Sequence, residues 1–210
     1  MTLLPLFDTP VFVFEVPGMD ALNAELVRAL VAERRASPGI HVSNRGGWHS
    51  IPDLARRPDP LFRELSAMLV AHFRLATEHI AARHGHDPMP SFGLALTAWA
   101  MVMQDGDYTV LHDHPAATWS SAYYADPGDA DEAAHPESGV LTLVDPRRAS
   151  GGVIGLELFP STFRLRPAAG TLVVFPGWLQ HYVHPYRGAR PRVMVAANAT
   201  IRVEDPGRPV

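Results

Sequence analysis

Three histidines carry the first chemical signal in this chain. His112 and His114 flank Asp113 in Leu111-His112-Asp113-His114-Pro115, and another imidazole closes Phe175-Pro176-Gly177-Trp178-Leu179-Gln180-His181. On an extended strand, residues two apart share a face, so His112 and His114 project together and Asp113 turns away. Two imidazoles joined by a third from a distant strand hold a first-row metal on one triangular face, leaving the opposite face for water, oxygen or substrate. A His-x-His pair alone is weak, since a solvated pair reads the same, and the distant segment is what strengthens it. There, Gly170 to Pro176 reads as a buried strand, followed after a short loop by His181-Tyr182-Val183-His184. His181 and His184 are three apart and cannot both face inward on one strand, so only one of them joins the pair.

A second chemical signal is an arginine. Arg190-Pro191-Arg192 opens the apolar strand Val193 to Asn198, along which Arg192, Met194, Ala196 and Asn198 share one face. A guanidinium among apolar neighbours cannot shed its charge and needs an anion, for which a carboxylate in bidentate contact is the natural partner. An ordinary ion pair with one of the 22 acidic residues is the alternative.

Composition removes other chemistries. The 210 residues contain no Cys, which excludes disulfides, thiolate zinc sites and cysteine nucleophiles. Every one of the 18 basic residues is Arg, so neither a phosphate-loop lysine nor Schiff-base chemistry is available. Neither Gly-x-Ser-x-Gly nor Gly-x-Gly-x-x-Gly occurs. A net charge of -4 gives no reason to expect nucleic acid or an anionic membrane as partner, and no apolar run approaches the ~20 residues of a membrane span. The expectation is a cytoplasmic protein, with a homodimer compatible and the oligomeric state otherwise open.

The elements that must position these groups follow from punctuation and periodicity. Residues 11–16 read as a strand, and Leu22, Leu26 and Leu30 mark a helix from about Asp20 to Ala36. The glycine-rich stretch Ser43 to Ser50 reads as a lid, a substrate edge or a plain turn. A longer helix starts at the Asp59-Pro60 cap and ends near His84, and its histidines, His72, His79, His84 and His86, read as solvated. After Pro90 only short strands follow, at 92–103, 117–125, 139–144, 155–159, 162–166, 171–176, 181–186 and 192–203. This predicts a mainly β double-sheet jelly roll, with two N-terminal helices packed outside one sheet. The chain is expected to be a single domain over 1–210, with residues 1–90 supporting a barrel at 91–203 and a frayed tail at 204–210. The acidic loop 126–138 reads as a mobile insertion.

Taken together, His112-x-His114-Pro115, Trp119-Ser120-Ser121-Ala122-Tyr123-Tyr124, Asp145-Pro146-Arg147, Phe175-Pro176-x-Trp178-Leu179-x-His181, Arg192 and Asn198 resemble the prolyl-hydroxylase-like 2-oxoglutarate/Fe(II) oxygenases of bacteria and phages. The likeness covers roughly residues 99–201, with Ser43 to Ser50 as a weaker outlying match. It implies a double-stranded β-helix (cupin-like), an Fe(II) centre, 2-oxoglutarate as co-substrate, and hydroxylation of an unnamed substrate. It matches His112 to the first metal histidine and His181 to the distal one. Arg192 falls at the base for the far carboxylate of 2-oxoglutarate, with Arg190 as runner-up. Tyr124 matches a hydroxyl supporting that carboxylate, or else is a core tyrosine, and Asn198, in the last core strand, is a further cofactor-binding candidate. The sequence departs from the commonest oxygenase pattern at one place: where an acid usually follows two after the first histidine, this chain has His114. Three neutral imidazoles would leave the full +2 charge on Fe(II) and favour an anionic co-substrate. They also suit a zinc or cupin-type enzyme that uses no 2-oxoglutarate, or a non-catalytic metal-binding module. Asp113 becomes a ligand only if a bulge turns it inward.

Overall fold

The computed structural model describes residues 7–147, 160–166 and 168–204. The expected strand at 155–159 and residues 205–210 of the tail lie outside this set. Eleven strands, β1 to β11, and two α-helices, α1 and α2, are numbered below in chain order. The strands are β1 (Phe12–Glu15), β2 (Asn44–Arg45), β3 (Trp48–His49), β4 (Phe92–Met103), β5 (Tyr108–His112), β6 (Trp119–Asp126), β7 (Leu141–Val144), β8 (Thr162–Leu165), β9 (Thr171–Pro176), β10 (His181–Val183) and β11 (Arg192–Val203). The helices are α1 (Asp20–Ala36) and α2 (Pro60–Arg83). One sheet has the order β1-β9-β6-β11-β4-β3 and the other β2-β5-β10-β7-β8, with antiparallel pairing throughout.

The larger sheet is covered on both faces, so its strands are almost continuously apolar. Alternation still sorts them. Ala98, Ala100, Val102, Val193, Val195, Ala197, Tyr123 and Val174 face the helices and join a core with Leu26, Leu30, Leu65, Leu69 and Phe73. Their neighbours Trp99, Met101, Met103, Met194, Ala196, Ala122, Tyr124 and Phe175 face the smaller sheet and meet its Leu141, Leu143 and Val183. The helices therefore lie outside the larger sheet, and the space between the sheets is left for a site. Helix α2 begins where expected: Asp59 caps it by accepting from the Leu61 N–H at 2.8 Å, with Pro60 in the first turn.

Two expectations are revised here. His72 and His79 are not simply solvated: their rings stand edge-on to Phe14 and Phe12 of β1, with centroids 4.8 and 5.6 Å apart. The acidic loop 126–138 is tethered rather than free. Arg190 pairs with Asp126 at 3.0 Å, Arg164 with Glu137 at 2.6 Å, and the fully buried Tyr186 donates its hydroxyl to Arg190 O at 2.7 Å while accepting from Asp129 N at 2.9 Å.

Candidate metal centre

β5 and β10 place the first two histidines directly opposite each other. His112 pairs with His181 across the ladder, whereas Val183 pairs with Thr109, so three steps on β5 oppose two on β10. This irregularity is a β-bulge, and it brings Thr109 and His112 to the same cavity despite their odd spacing. His114 is not on the strand. β5 stops at His112, and Pro115, with no N–H to offer a ladder, does not resume it. The His114 N–H donates to Gly177 O at 2.7 Å, and the His114 carbonyl accepts from Ala117 N at 2.9 Å. A side chain at Gly177 would meet His114 O at 2.7 Å and Ala117 O still closer, so glycine is what lets these two loops touch.

The three rings converge. Centroids lie 4.2 Å apart for His112 and His181, 5.1 Å for His112 and His114, and 5.4 Å for His114 and His181. One ring nitrogen from each falls within 4.8 Å of the others, and Asp113 is not part of this group. Two of the tautomers are fixed by main chain. His112 Nδ1 lies 2.8 Å from Val110 O and His181 Nδ1 lies 2.9 Å from Leu179 O. A carbonyl only accepts, so Nδ1 carries the proton and Nε2 keeps its lone pair. Burial, followed by repulsion from His112, pulls His181 down to about 3 and His114 to about 4, and burial lowers His112 as well. At neutral pH the cluster consists of uncharged donors, the form a metal requires. His184, just past the end of β10, is occupied with Thr142 Oγ1 at 3.0 Å and Glu137 at 3.3 Å.

The cavity beside the imidazoles is lined by Trp99, Met101, Ala122, Phe175, Met194 and Ala196 and reaches Tyr124. Behind Tyr124 and Met194 sits Arg192, 1% exposed, its guanidinium 5.0 Å from the Tyr124 ring centroid. Its contacts are the thioethers of Met103 at 3.0 Å and Met194 at 3.5 Å, and Gly139 O at 3.3 Å. Among the described residues no carboxylate pairs with it. The Tyr124 hydroxyl is, among the described residues, the buried side-chain oxygen without a partner, and burial raises its pKa. A buried cation next to an orphaned hydroxyl has the donors that a carboxylate would take.

Other residues singled out in the sequence are engaged elsewhere. Arg190 is 59% exposed and spent on Asp126, because it lies outside the buried strand that Arg192 begins. Asn198 shares the inward face of β11 but lies six residues beyond Arg192, about 20 Å along a strand. Its carboxamide oxygen accepts from Ser120 Oγ at 2.7 Å, so it cannot join Arg192 on one carboxylate. Trp119 faces the helices, donating to Thr77 Oγ1 at 2.9 Å, and Trp178 is 45% exposed. Sequence reasoning missed Trp99 and His49. The His49 ring is parallel to Trp99 (5.7 Å, 9°), and Trp99 meets His114 at 5.5 Å. Only their place between glycines and in an apolar strand was visible, and neither feature signals a site.

Comparison with known proteins adds relatives to this geometry. Residues 97–198 match the family described as "Putative 2OG-Fe(II) oxygenase". No curated relative matches the sequence. Among solved structures, a prolyl-4-hydroxylase from Pseudomonas putida is similar over 91% of both chains at 19% identity, with a TM-score of 0.58. A prolyl hydroxylase from Trichoplax adhaerens, solved with a peptide fragment of the hypoxia inducible factor oxygen degradation domain, is similar over 90% of this chain and 83% of its own at 12% identity and a TM-score of 0.59. HygX from Streptomyces hygroscopicus, solved with nickel and 2-oxoglutarate, is similar over 91% and 82% at 15% identity and a TM-score of 0.53. Two packed antiparallel sheets with outer helices are thus the double-stranded β-helix of such oxygenases.

Proposed function

The chain belongs to the 2OG-Fe(II) oxygenase family, and from that premise we propose that it hydroxylates a C–H bond of its substrate at a three-histidine iron centre. His112, His114 and His181 would hold the metal. Arg192, with the Tyr124 hydroxyl, would bind the far carboxylate of 2-oxoglutarate. The observation that carries this reading is the pairing of three uncharged, converging imidazoles with a buried guanidinium that has no carboxylate partner among the described residues and lies behind Tyr124 and Met194 of the imidazole cavity. When bound, iron(II) with 2-oxoglutarate and dioxygen supplies the oxidising power to convert R–H to R–OH, with 2-oxoglutarate leaving as succinate and carbon dioxide.

The chain's own residues bind, orient and exclude water. Val110 O and Leu179 O hold the Nδ1 protons of His112 and His181, which aims both Nε2 lone pairs at one point. Phe175 packs edge-on to His181 with centroids 4.8 Å apart, and with Met101, Met194 and Ala196 it keeps the cavity apolar. Met103 and Met194 touch the guanidinium through flexible thioethers, weak acceptors that give way to a carboxylate at little cost. The substrate remains unidentified. No helix of the described residues is long and apolar enough to cross a membrane, and a cytoplasmic location belongs to the same proposal.

The test is succinate formation from 2-oxoglutarate by iron-loaded protein, together with calorimetric binding of 2-oxoglutarate. Loss of that binding in Arg192→Ala is expected, and wild-type affinity in the variant would sink the reading. The donor set also suits zinc, so metal content after purification without added metal separates the two chemistries.

A further inference from the structure

Loop 43–50 has no part in the reading above, yet it walls the same cavity. His49 is clamped to β4. Its Nδ1 lies 2.6 Å from Ser50 O, the Ser50 N–H donates to Ala100 O at 3.0 Å, and Ser50 Oγ accepts from Ala100 N at 2.9 Å. The His49 ring lies flat against the Trp99 indole, 5.7 Å between centroids and 9° between planes. The same Trp99 indole meets the His114 ring at 5.5 Å and 58°. His112 and His181 each donate Nδ1–H to a main-chain carbonyl. Among the described residues no hydrogen bond holds the ring of His114. Its main chain is docked on Gly177, but the turn of the ring about its side-chain bonds is governed by packing alone.

We propose that Trp99, backed by His49, is the positioning residue for His114, the stacked pair doing for this ligand what main-chain carbonyls do for the other two. The inference rests on the three-imidazole reading. A ring free to rotate loses that freedom on binding a metal, and a wall that has already limited it lowers the entropic cost. Outer partners of metal histidines are worth about 10–100-fold in affinity when they act by hydrogen bonding, and a packing partner belongs at the lower end of that range.

Cobalt(II) alone is the probe, titrated into the full chain and followed by its visible ligand-field bands. His114→Ala is expected to weaken binding about a hundredfold, Trp99→Leu about tenfold, and Trp99→Phe, which keeps an aromatic face, about threefold or less. In the His114→Ala background, Trp99→Leu should cost nothing further. An equal tenfold loss in both backgrounds would mean that Trp99 supports the fold in general and would overturn the proposal, as would wild-type affinity in Trp99→Leu. Wild-type affinity in His114→Ala would remove the three-imidazole reading itself, a separate failure. If Trp99→Leu does not fold, His49→Ala carries the same cycle. About threefold is expected in the native background and none beside His114→Ala, and equal losses in both refute it.

Discussion

The imidazole cavity and the neighbouring pocket that Arg192 lines are built from opposite deficits. In the first, three imidazoles present lone pairs and no charge, with two of their Nδ1 protons already committed to carbonyls. In the second, Arg192 presents N–H donors and a full positive charge to two thioethers and one carbonyl, beside a tyrosine hydroxyl with no partner. Acceptors without a cation and a cation without an anion are each costly to bury. Tyr124 and Met194 stand between the two, lining the imidazole cavity while the Arg192 guanidinium lies over the Tyr124 ring and against the Met194 thioether. The helix-facing side of the same sheet carries the folding energy instead, with Leu26, Leu30, Leu65, Leu69 and Phe73 fully buried.

The largest test of this contrast is at the acceptor end. His181→Ala should weaken Fe(II) or Co(II) binding more than about a hundredfold, beyond the range of losing an outer partner, as read by metal titration. Retained affinity would break the comparison. At the donor end, Arg192→Ala should cost about 3 kcal/mol of 2-oxoglutarate binding, roughly a hundredfold, because a buried bidentate ion pair is lost. The converse sharpens it: Arg192→Met should stabilise the ligand-free protein by ~1–3 kcal/mol in urea melts, since an uncompensated buried charge is replaced by an apolar side chain of similar length.

A smaller effect follows from pH. His181 and His114 sit at about 3 and about 4 in the folded chain, whereas in the unfolded chain they titrate near 6.5. Between those values the unfolded chain binds more protons, so metal-free stability should fall as pH drops from about 6.5 toward 3 and level off below that. Urea melts at successive pH values check this, and a flat profile would mean that the imidazoles are open to solvent. The smallest effect is at Arg190. Arg190→Ala should leave 2-oxoglutarate affinity unchanged and cost less than about 1 kcal/mol, visible as faster amide exchange in loop 126–138.

Much of this was legible in the sequence, for identifiable reasons. β4, β9 and β11 run from Phe92 to Met103, Thr171 to Pro176 and Arg192 to Val203, matching the expected bounds because a strand covered on both faces is an unbroken apolar run between proline and glycine stops. Spacing showed that only one of His181 and His184 could join His112, the family resemblance pointed to His181, and the route to the cluster was not readable. His114 was expected on the strand beside His112, and it reaches the cluster from a turn instead. A parity argument separated Arg192 from nothing nearby, since Arg190 has the same parity. What distinguishes them is that the acids of loop 126–138 lie within reach of Arg190, a long-range fact. The same fact tethers a loop whose composition alone suggested freedom. β2 and β3 are two residues each, too short for any periodicity, so His49 carried no signal.

The main-chain carbonyls behind His112 and His181 have a consequence for how such a chain can change over time. Each proton is held by the main chain two residues upstream, so no substitution of a neighbouring side chain removes the acceptor. Rim loops are thereby free to diverge and take on new clients while two of the three grips on the ion persist by default. Drift is policed chiefly at the third, where an indole and not a peptide group keeps the ring in place.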